Sequence, residues 1–486
     1  MNETRDLANW IVDLKWGDIP AQIIDYAKVL ILDTVGCMLG GSIQESNRAA
    51  LRYMRAMGGT PQATVVNYGD KTNVYNAAFL NGSFGHGWDF DDHVHGGSPH
   101  SMSATTAAAM AVGEWQLSTG KAFLEAWIAG YEANNRVGAA CGPAFGQRGF
   151  HHVGTIGSFA GTAVAGKLLR LDQWKTENAI SITVSQAAGT FQHSQRTGGA
   201  IKRNHMGFAA SNGVRSALLA LEGITGAREA LEGKCGFVLC HSGAENDMAA
   251  LTRDFGREWY TTRAAIKNYS NCAGQWGLLD LFHTLKRKHH LKPDAIKAIT
   301  FWTKPSSASM VGTIKGEDVQ DIFGAQFSAR YGVGMALVLG DNRPRSYQQH
   351  VFPYGRWKEI VDVAKIIDII GDPEVDAIGT KKKIYGYSRC EIKLKNGAII
   401  KGESDAPLKG FPENPMTREE RLNKYYGQAL MVLSQEQADQ IVEYIESIEE
   451  MDDIRPLMRL LVSQSGAGHS SRRRVGREAV YEADSA

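Results

Sequence analysis

Residues 18–41 read DIPAQIIDYAKVLILDTVGCMLGG, and this stretch predicts a long, buried helix. Asp18 and Pro20 supply a cap and a helix-starting proline. Gly40 and Gly41 end the run, because glycine is a common terminator of helices. The apolar residues that recur at helical spacing between them are Ile23, Ile24, Ala27, Leu30, Ile31 and Val35.

The same helical periodicity, rich in alanine and glycine, continues downstream. It predicts further helices at residues 105–117, 122–137, 157–171, 179–188 and 208–221. The first 260 or so residues are therefore predicted to be all-helical. Small side chains allow helices to pack closely, so this composition indicates the core of a helical domain.

The pattern changes after about residue 265. Short alternating runs, such as residues 295–303, indicate strands, and Asn396-Gly397 inside residues 391–403 is a strong hairpin signal. After a polar loop that follows Pro412, two further runs of helical periodicity lie at residues 417–431 and 434–448. We expect these helices to return to the helical domain.

The predicted fold is therefore mainly α, with a smaller α+β second domain. The helical domain would comprise residues 1–266 and 405–462, and the α+β lid domain residues 267–404. The tail, residues 463–486, carries Arg472–Arg474 and little apolar content, so it is predicted to be disordered.

Composition narrows the class of function. Of 486 residues, 43% are apolar and 22% charged, as in ordinary soluble proteins. The 53 basic residues nearly balance the 52 acidic ones, which predicts neither nucleic-acid binding nor attraction to a membrane. The first thirty residues contain no uninterrupted apolar segment, and six cysteines are scattered widely. We expect a cytoplasmic protein with reduced thiols.

The densest group of reactive side chains lies in residues 88–101, WDFDDHVHGGSPHS. Its acids are Asp89, Asp91 and Asp92, and its histidines are His93, His95 and His100. Histidine exchanges protons near neutral pH, and a nearby carboxylate fixes its tautomer. A polar surface turn is the simpler interpretation. A metal site formed by His93 and His95 is another, but no matching set of ligands is evident downstream.

Three further segments carry candidate groups. GFHHVGTIGS at residues 149–158 places His151 and His152 before a helix start that could hold an anion. GGAIKRNHMG at residues 198–207 and KNYSNC at residues 267–272 supply Lys202, Arg203 and Lys267. Each segment alone is more often a structural or surface feature. Together with the histidine loop, they describe an anion-binding pocket capable of acid-base chemistry.

These motifs resemble the family that contains 2-methylcitrate dehydratase and cis-aconitate decarboxylase, the MmgE/PrpD family. The likeness extends from residues 18–20, through residues 30–33, to Pro412-Glu413-Asn414-Pro415. Its most specific parts are Asp89-Phe90-Asp91-Asp92 followed by His100, Gly149-Phe150-His151 followed by Gly154-Thr155, Lys202-Arg203 followed by His205 and Gly207, and Lys267-Asn268-Tyr269.

The resemblance implies a homodimer with a substrate cleft between the two domains and no metal or organic cofactor. In decarboxylase members the positions that match Asp89, His100, His151, Lys202 and Lys267 line that cleft. His93 stands where threonine is frequent, and Ser101 where proline often follows the matching histidine.

The implied roles follow from the chemistry of a small polycarboxylate. Lys202 and Lys267 would bind its carboxylates and stabilise developing negative charge. His100 would transfer the proton, Asp89 would orient the imidazole, and His151 would carry a second proton or donate to a carboxylate. We further predict substrate contacts from three more residues, His93, Ser101 and Arg203.

The sequence leaves four functions open. They are decarboxylation of cis-aconitate to itaconate, dehydration of 2-methylcitrate or an alkylcitrate, epimerisation of an iminodisuccinate-type acid, and a catalytically decayed helical dimer. The spacing from Asp92 to His100 and the context of Lys202-Arg203 favour the first.

Overall fold

A computed structural model describes residues 2–195, 199–350 and 355–464. Helices dominate its first part, and short strands accompany them. The helices are α1 (Glu3–Asp13), α2 (Ala21–Gly41), α3 (Glu45–Met57), α4 (Val74–Gly85), α5 (Ser101–Trp115), α6 (Gly120–Gln147), α7 (His152–Thr155), α8 (Gly157–Leu168), α9 (Gln173–Val184), α10 (Ile201–Leu221) and α11 (Phe237–Ser242).

Two short strand pairings depart from the all-helical prediction for this part. Strand β1 (Ala63–Thr64) pairs with β2 (Lys71–Thr72), and β3 (His93–Val94) pairs with β4 (Ala264–Ala265), both antiparallel. Each strand is two residues long, which is too short to leave an alternating pattern in the sequence.

Helix α2 lies at the centre of the helical region. It begins after Pro20 and ends at Gly41, as the sequence predicts, and almost all of its residues from Leu30 onward are buried. A helix that is apolar on all sides is stable only when other elements surround it. Its one buried acid, Asp33, is paired with Lys424.

The second part of the chain carries a four-stranded sheet. Its elements are α12 (Trp276–His289), β5 (Ile296–Thr303), α13 (Pro305–Val311), α14 (Ile322–Phe327), α15 (Ala329–Val338), α16 (Pro344–His350), α17 (Trp357–Ala364), β6 (Ile367–Gly371), α18 (Pro373–Lys382), β7 (Arg389–Leu394) and β8 (Ile399–Glu403). The strand order is β6-β5-β7-β8, with β5 and β6 parallel and the other pairs antiparallel. The predicted hairpin at Asn396-Gly397 joins β7 to β8, and Gly397 has a φ of 89°.

The chain then returns to helices, α19 (Arg418–Ala429), α20 (Gln435–Glu446) and α21 (Arg455–Leu460). Helix α19 packs on α2, and Lys424 Nζ lies 2.9 Å from the Asp33 carboxylate. The expected class, mainly α with an α+β second region, is confirmed. The domain boundaries at residues 266, 404 and 462 stay a prediction.

Ser463, the first residue of the predicted tail, contacts the folded chain. Ser463 N donates to Asn67 O at 3.1 Å, so this residue is part of the folded chain. The rest of the proposed tail, residues 465–486, lies outside the described residues.

Among the described residues, no helix combines the length and the apolar character needed to cross a lipid bilayer. All six cysteines are present as free thiols, and only Cys235 and Cys240 are exposed.

Candidate active site

The acid- and histidine-rich segment forms a loop between α4 and α5 that several distant elements hold in place. His93 pairs with Ala265, which brings the loop beside Lys267, two residues further along the chain. Lys424 Nζ donates to Phe90 O at 2.8 Å, and Arg203 Nε donates to Gly87 O at 2.7 Å. The loop is thus fixed by residues from three other parts of the chain.

Asp89 is clamped between two buried lysines. Lys267 Nζ lies 2.6 Å from Asp89 Oδ1, and Lys202 Nζ lies 2.9 Å from Asp89 Oδ2. The two lysines are 1% and 3% exposed, so both ammonium groups depend on protein partners rather than water. Lys202 lies in the first turn of α10, not on the loop that the sequence suggested.

The lysines decide the charge of Asp89. Burial by itself would raise the pKa of the Asp89 carboxyl, but Lys202 and Lys267 hold that pKa well below its ordinary value. Burial also lowers the pKa of Lys202, an effect that the Asp89 charge opposes. The carboxylate and the ammonium groups therefore stabilise each other's charged forms.

Asp91 holds the two histidines of the loop. His86 Nδ1 lies 2.9 Å from each Asp91 oxygen, His100 Nδ1 lies 3.1 Å from Oδ1, and Ser103 Oγ donates to Oδ2 at 2.7 Å. Because a carboxylate only accepts, both imidazoles carry their proton on Nδ1. The expected orientation of His100 by Asp89 is corrected here: Asp89 Oδ1 is 3.7 Å from His100 Nε2, beyond hydrogen-bond distance, and Asp91 orients the ring.

The His100 imidazole is neutral in the free protein. Burial, followed by the charge of Lys267, lowers the pKa of its imidazole to about 3, although Asp91 opposes the shift. Both His100 and Asp89 adopt a left-handed backbone, with φ of 64° and 50°. Such conformations cost energy outside glycine and are retained where the surroundings enforce them, often at functional sites.

Asp92 faces away from this network. It accepts hydrogen bonds from Tyr131 Oη at 2.6 Å and from Met102 N at 3.1 Å. Burial and the neighbouring Asp91 charge raise the pKa of the Asp92 carboxyl to about 7. Its contacts tie the loop to the start of α5 and to α6.

His151 belongs to a second group of buried imidazoles. Its Nδ1 lies 2.7 Å from Nδ1 of His205, and its ring centroid lies 4.6 Å from that of His193. We call His151, His193 and His205 the three-histidine cluster. The charges of Lys202 and His86 both depress the pKa of His151, in addition to the larger effect of burial, so the cluster adjoins the network around Asp89.

Comparison with known families identifies the family of the chain. Residues 5–248 match the MmgE/PrpD N-terminal domain, and residues 269–450 match the MmgE/PrpD C-terminal domain. The chain belongs to the MmgE/PrpD family.

Relatives of this MmgE/PrpD protein are similar to it over nearly their whole length. A cis-aconitate decarboxylase-like protein, oryM, from Aspergillus oryzae is 28% identical over 482 residues, which cover 95% of this chain and 97% of the relative. A cis-aconitate decarboxylase from Aspergillus terreus is 28% identical over 476 residues, with coverage of 94% and 95%. One from Homo sapiens is 25% identical over 488 residues, with coverage of 95% for both chains. The MmgE/PrpD protein is an enzyme of the lyase class.

The predicted substrate contacts of the MmgE/PrpD protein differ in how free their side chains are. His93 packs its ring on Trp276, Tyr385 and Phe411, and its buried Nδ1 has no hydrogen-bond partner among the described residues. Arg203 is engaged with the protein, through Gly87 O and, at 3.0 Å, Gln326 Oε1. Its direct contact with substrate stays a prediction.

Ser101 is occupied by protein partners. Its Oγ donates to Ser98 O at 2.7 Å or to Asn135 Oδ1 at 3.1 Å, and it accepts from Asn134 Nδ2 at 2.7 Å. The hydroxyl carries one proton, so these contacts leave it no free donor for a substrate. The structure therefore gives Ser101 the role of bracing the start of α5.

Sequence reasoning missed two residues that complete the site. His86, at the end of α4, is fully buried and shares Asp91 with His100. Gln326, in α14, donates to Trp88 O at 2.7 Å and to Ser270 O at 3.1 Å, linking the α+β region to the loop. The Gly85-His86-Gly87 sequence was a possible signal, because small neighbours let a side chain lie between close-packed backbones.

Two groups in the described residues have enough closely spaced ligand atoms for a metal ion. One is His86, Asp89, Asp91 and His100, and the other is the three-histidine cluster. Neither contains His93 with His95, the pair considered from sequence. In the first group the ligand oxygens of Asp89 are already taken by two ammonium groups, which repel a cation.

A cleft of about 690 Å³ opens next to the buried network. His95, Tyr385 and Phe411 are among its lining residues, and the ring of His93 contacts Tyr385 and Phe411. Lys304, Arg263 and Lys383 also line it. Two acids, Asp376 and Glu413, line the cleft as well, and the cleft adjoins the aromatic layer around His93.

Proposed function

We propose that this protein decarboxylates cis-aconitate, or a close analogue, to itaconate without a cofactor. The observation that carries the proposal is the pair of buried ammonium groups, Lys202 and Lys267, that converge on one carboxylate beside the His100 imidazole. The cis-aconitate decarboxylases among the relatives support this substrate.

Lys202 and Lys267 are spaced so that together they bind one carboxylate. Each lysine contacts a different oxygen of the same carboxylate, at 2.9 and 2.6 Å. In the proposed complex a substrate carboxylate shares these two cations with Asp89. Charge-assisted hydrogen bonds of this kind are about twice as strong as neutral ones and favour planar anions.

Charge balance supplies the acid that the reaction needs. In the free protein two ammonium groups offset Asp89 and Asp91, and burial keeps the nearby imidazoles neutral. A bound tricarboxylate adds negative charge that these groups do not balance, which favours protonation of His100. We therefore infer that substrate binding is accompanied by uptake of a proton, and that the substrate itself creates the His100 imidazolium.

The proposed step then balances. The bond between the substrate's methylene carbon and its carboxylate breaks, and CO₂ leaves. The electron pair of that bond forms the new double bond, while the former double-bond pair takes a proton from His100 Nε2. Trianionic cis-aconitate and one proton thus yield dianionic itaconate and CO₂. Lys202 and Lys267 stabilise the charge that moves onto the remaining carboxylates.

His151 is assigned a supporting role in this proposal. Burial lowers the pKa of its imidazole well below the ordinary value, so it is a neutral hydrogen-bond donor or acceptor. Its position beside Lys202 suits a contact with a second carboxylate of the substrate. His93, with its unpartnered Nδ1, suits a third.

We also propose that the chain forms a homodimer through its helical domain. Helix α10 exposes Ile201, Phe208 and Leu219, at 53%, 41% and 37% of their surfaces. Their spacing of seven and eleven residues places them along one helical face. Sedimentation should give a dimer at micromolar concentration, and Phe208→Glu should shift the mass toward the monomer.

Proton NMR of the purified protein tests the proposed reaction. Cis-aconitate should disappear and itaconate should form, and in D₂O the saturated methylene of itaconate should gain one deuterium. 2-Methylcitrate and iminodisuccinate are offered separately, because dehydration and epimerisation are the competing reactions. Turnover of either without turnover of cis-aconitate would contradict the proposal, and His100→Asn serves as the inactive control.

A further inference from the structure

We propose that the three-histidine cluster is a binding site for a divalent transition-metal ion such as Zn²⁺, and that an ion bound there inhibits the enzyme. The inhibition rests on the proposed function, because it requires His151 to act during turnover. The binding site itself does not.

The geometry suits three imidazole ligands. Each ring of His151, His193 and His205 offers one nitrogen, and these nitrogens lie within 4.8 Å of one another. Zn²⁺ bound tetrahedrally to imidazole nitrogens at about 2.0–2.1 Å places its ligand atoms about 3.4 Å apart. The 2.7 Å separation of the His151 and His205 Nδ1 atoms must therefore widen by less than about 1 Å, with His193 moving closer.

The three rings are ready to coordinate an ion without losing a proton. Burial is the main cause that lowers the pKa of His193 to about 3, that of His205 to about 4 and that of His151 well below its ordinary value. Metal ions bind the neutral form of imidazole. No carboxylate belongs to the cluster, so no ion pair must be broken before an ion enters.

The three rings are carried by separate elements of the chain. His151 N donates to Gly189 O at 3.0 Å at the start of α7, and His205 lies within α10. Gly154 makes room for the His205 ring, because a Cβ at residue 154 would lie 3.2 Å from His205 Cγ. His193 packs edge-on against Phe323, with ring centroids 5.8 Å apart. Packing and hydrogen bonds that orient ligand side chains favour metal binding.

The other candidate group is a poorer site. Asp89 of that group is within 2.9 Å of both Lys202 and Lys267, and Asp91 already accepts from two imidazoles and Ser103. A divalent cation would have to displace ammonium groups that have no water to receive them. The chemistry of the two groups therefore favours the three-histidine cluster, whose nitrogen ligands Zn²⁺ prefers.

Metal binding is measured directly on the full-length, metal-free protein. Co²⁺ is titrated first, because tetrahedral Co²⁺ has intense visible absorption, and Zn²⁺ is then added to displace it. We expect one ion per chain. His193→Gln and His205→Gln should each weaken binding by at least about 100-fold, more than the 10- to 100-fold loss of an outer-shell partner. His193→Cys should retain binding, because a thiolate is also a zinc ligand.

Two variants test the location of the site. His86→Gln alters the other candidate group, and His152→Gln alters a neighbouring histidine outside both groups; each should keep the Co²⁺ signal. Loss of the signal in His86→Gln with retention in His193→Gln and His205→Gln would overturn the assignment, as would the absence of stoichiometric binding to the wild type. Circular dichroism of each variant confirms folding, and the His193→Cys result keeps the test valid if a glutamine variant fails to fold.

Inhibition is measured separately. Zn²⁺ should lower the rate of cis-aconitate turnover with the same midpoint as Co²⁺ displacement. Stoichiometric binding without loss of activity would overturn the inhibitory role and leave the site. Failure of cis-aconitate turnover in metal-free protein would instead contradict the proposed function.

Discussion

The network around Asp89 and the three-histidine cluster are adjacent and both buried, but their polar groups differ in charge. The first keeps full charges and pairs both ammonium groups with the Asp89 carboxylate. The second keeps its imidazoles neutral, because burial depresses their pKa values and no acid opposes the shift. One region is balanced by ion pairs, and the other is balanced by having no charge.

This difference indicates which region can bind an anion and which can bind a cation. The charged, paired network resists a metal ion, but its two ammonium groups attract a further carboxylate beside Asp89. A neutral cluster resists protonation but has lone pairs to offer. The anionic substrate is therefore assigned to the first region and a cation to the second. The following experiments test that distinction.

The largest effect is expected from His100→Asn. Asparagine tolerates the left-handed backbone at this position, so the change removes the proton carrier without adding strain. We expect kcat to fall by about 10²- to 10⁴-fold, as when a general acid or base is lost. Calorimetry with a non-reacting tricarboxylate should show that binding largely remains. His95→Asn, on the same loop, is the control, and near-normal turnover in His100→Asn would move the role to His151.

Lys202→Met removes one cation of the network while keeping the length of the side chain. We expect KM to rise and kcat to fall by about 10²- to 10³-fold, as for loss of one donor to a developing anion. Steady-state kinetics gives both values. Lys424→Met is the matched control, because this buried lysine pairs with Asp33 and Phe90 O instead. An equal fall of kcat in both variants would indicate structural damage rather than a role in chemistry.

A dependence on pH follows from the proton that binding takes up. The pKa of His100 in the free protein is lowered to about 3, so the imidazole is neutral across pH 6 to 8. Because the reaction needs the protonated form, kcat/KM should fall about tenfold for each unit that the pH rises, after correction for substrate ionisation. Initial rates at low substrate concentration measure this. A rate constant independent of pH would contradict His100 as the acid.

The neutral cluster should instead govern stability in acid. The pKa of His205 is lowered to about 4 in the folded protein, against about 6.5 when unfolded. Such a group stabilises the fold above pH 6.5, and this stability is lost as the pH falls toward 4. Between pH 7 and 5 the loss for one histidine is about 2 kcal/mol, at 1.36 kcal/mol per pKa unit.

His205→Gln should therefore reduce the acid-induced loss of unfolding free energy by about 2 kcal/mol. Urea unfolding at pH 7 and pH 5 measures it. His289→Gln, at the exposed end of α12, should leave the difference unchanged. An unaltered pH dependence in His205→Gln would show that the cluster is not the acid-sensitive region.

The sequence predicted the helices and turns that are determined by residues close together in the chain. Pro20 and the apolar spacing that follows it fix α2, and Asn396-Gly397 fixes the β7–β8 turn. The two-residue strands β1 to β4 were not predicted, because their pairing depends on distant partners. The pairing of His93 with Ala265 joins residues 172 positions apart, and no local pattern reports it.

The site was predicted by residue type but not by pairing. Asp89, His100, Lys202 and Lys267 do come together, but the acid that orients His100 is Asp91. Neighbouring acids on a loop point in different directions according to the backbone, and the positive φ of Asp89 turns its carboxylate toward the lysines. His193 was not predicted, because it precedes the motif at residues 198–207 and only the fold brings its ring beside those of His151 and His205.

The bridge made by Gln326 opposes separation of the two regions that enclose the buried site. Its contacts with Trp88 O and Arg203 join the α+β region to the helical one across a site whose lysines are no more than 3% exposed. The neutral bond contributes about 0.5–1.5 kcal/mol and the bond with the charged Arg203 donor about 1.5–3 kcal/mol, so the two together oppose separation of the regions by about 2–4.5 kcal/mol. We expect Gln326→Ala to weaken this connection, so that the site opens more often but is less well ordered.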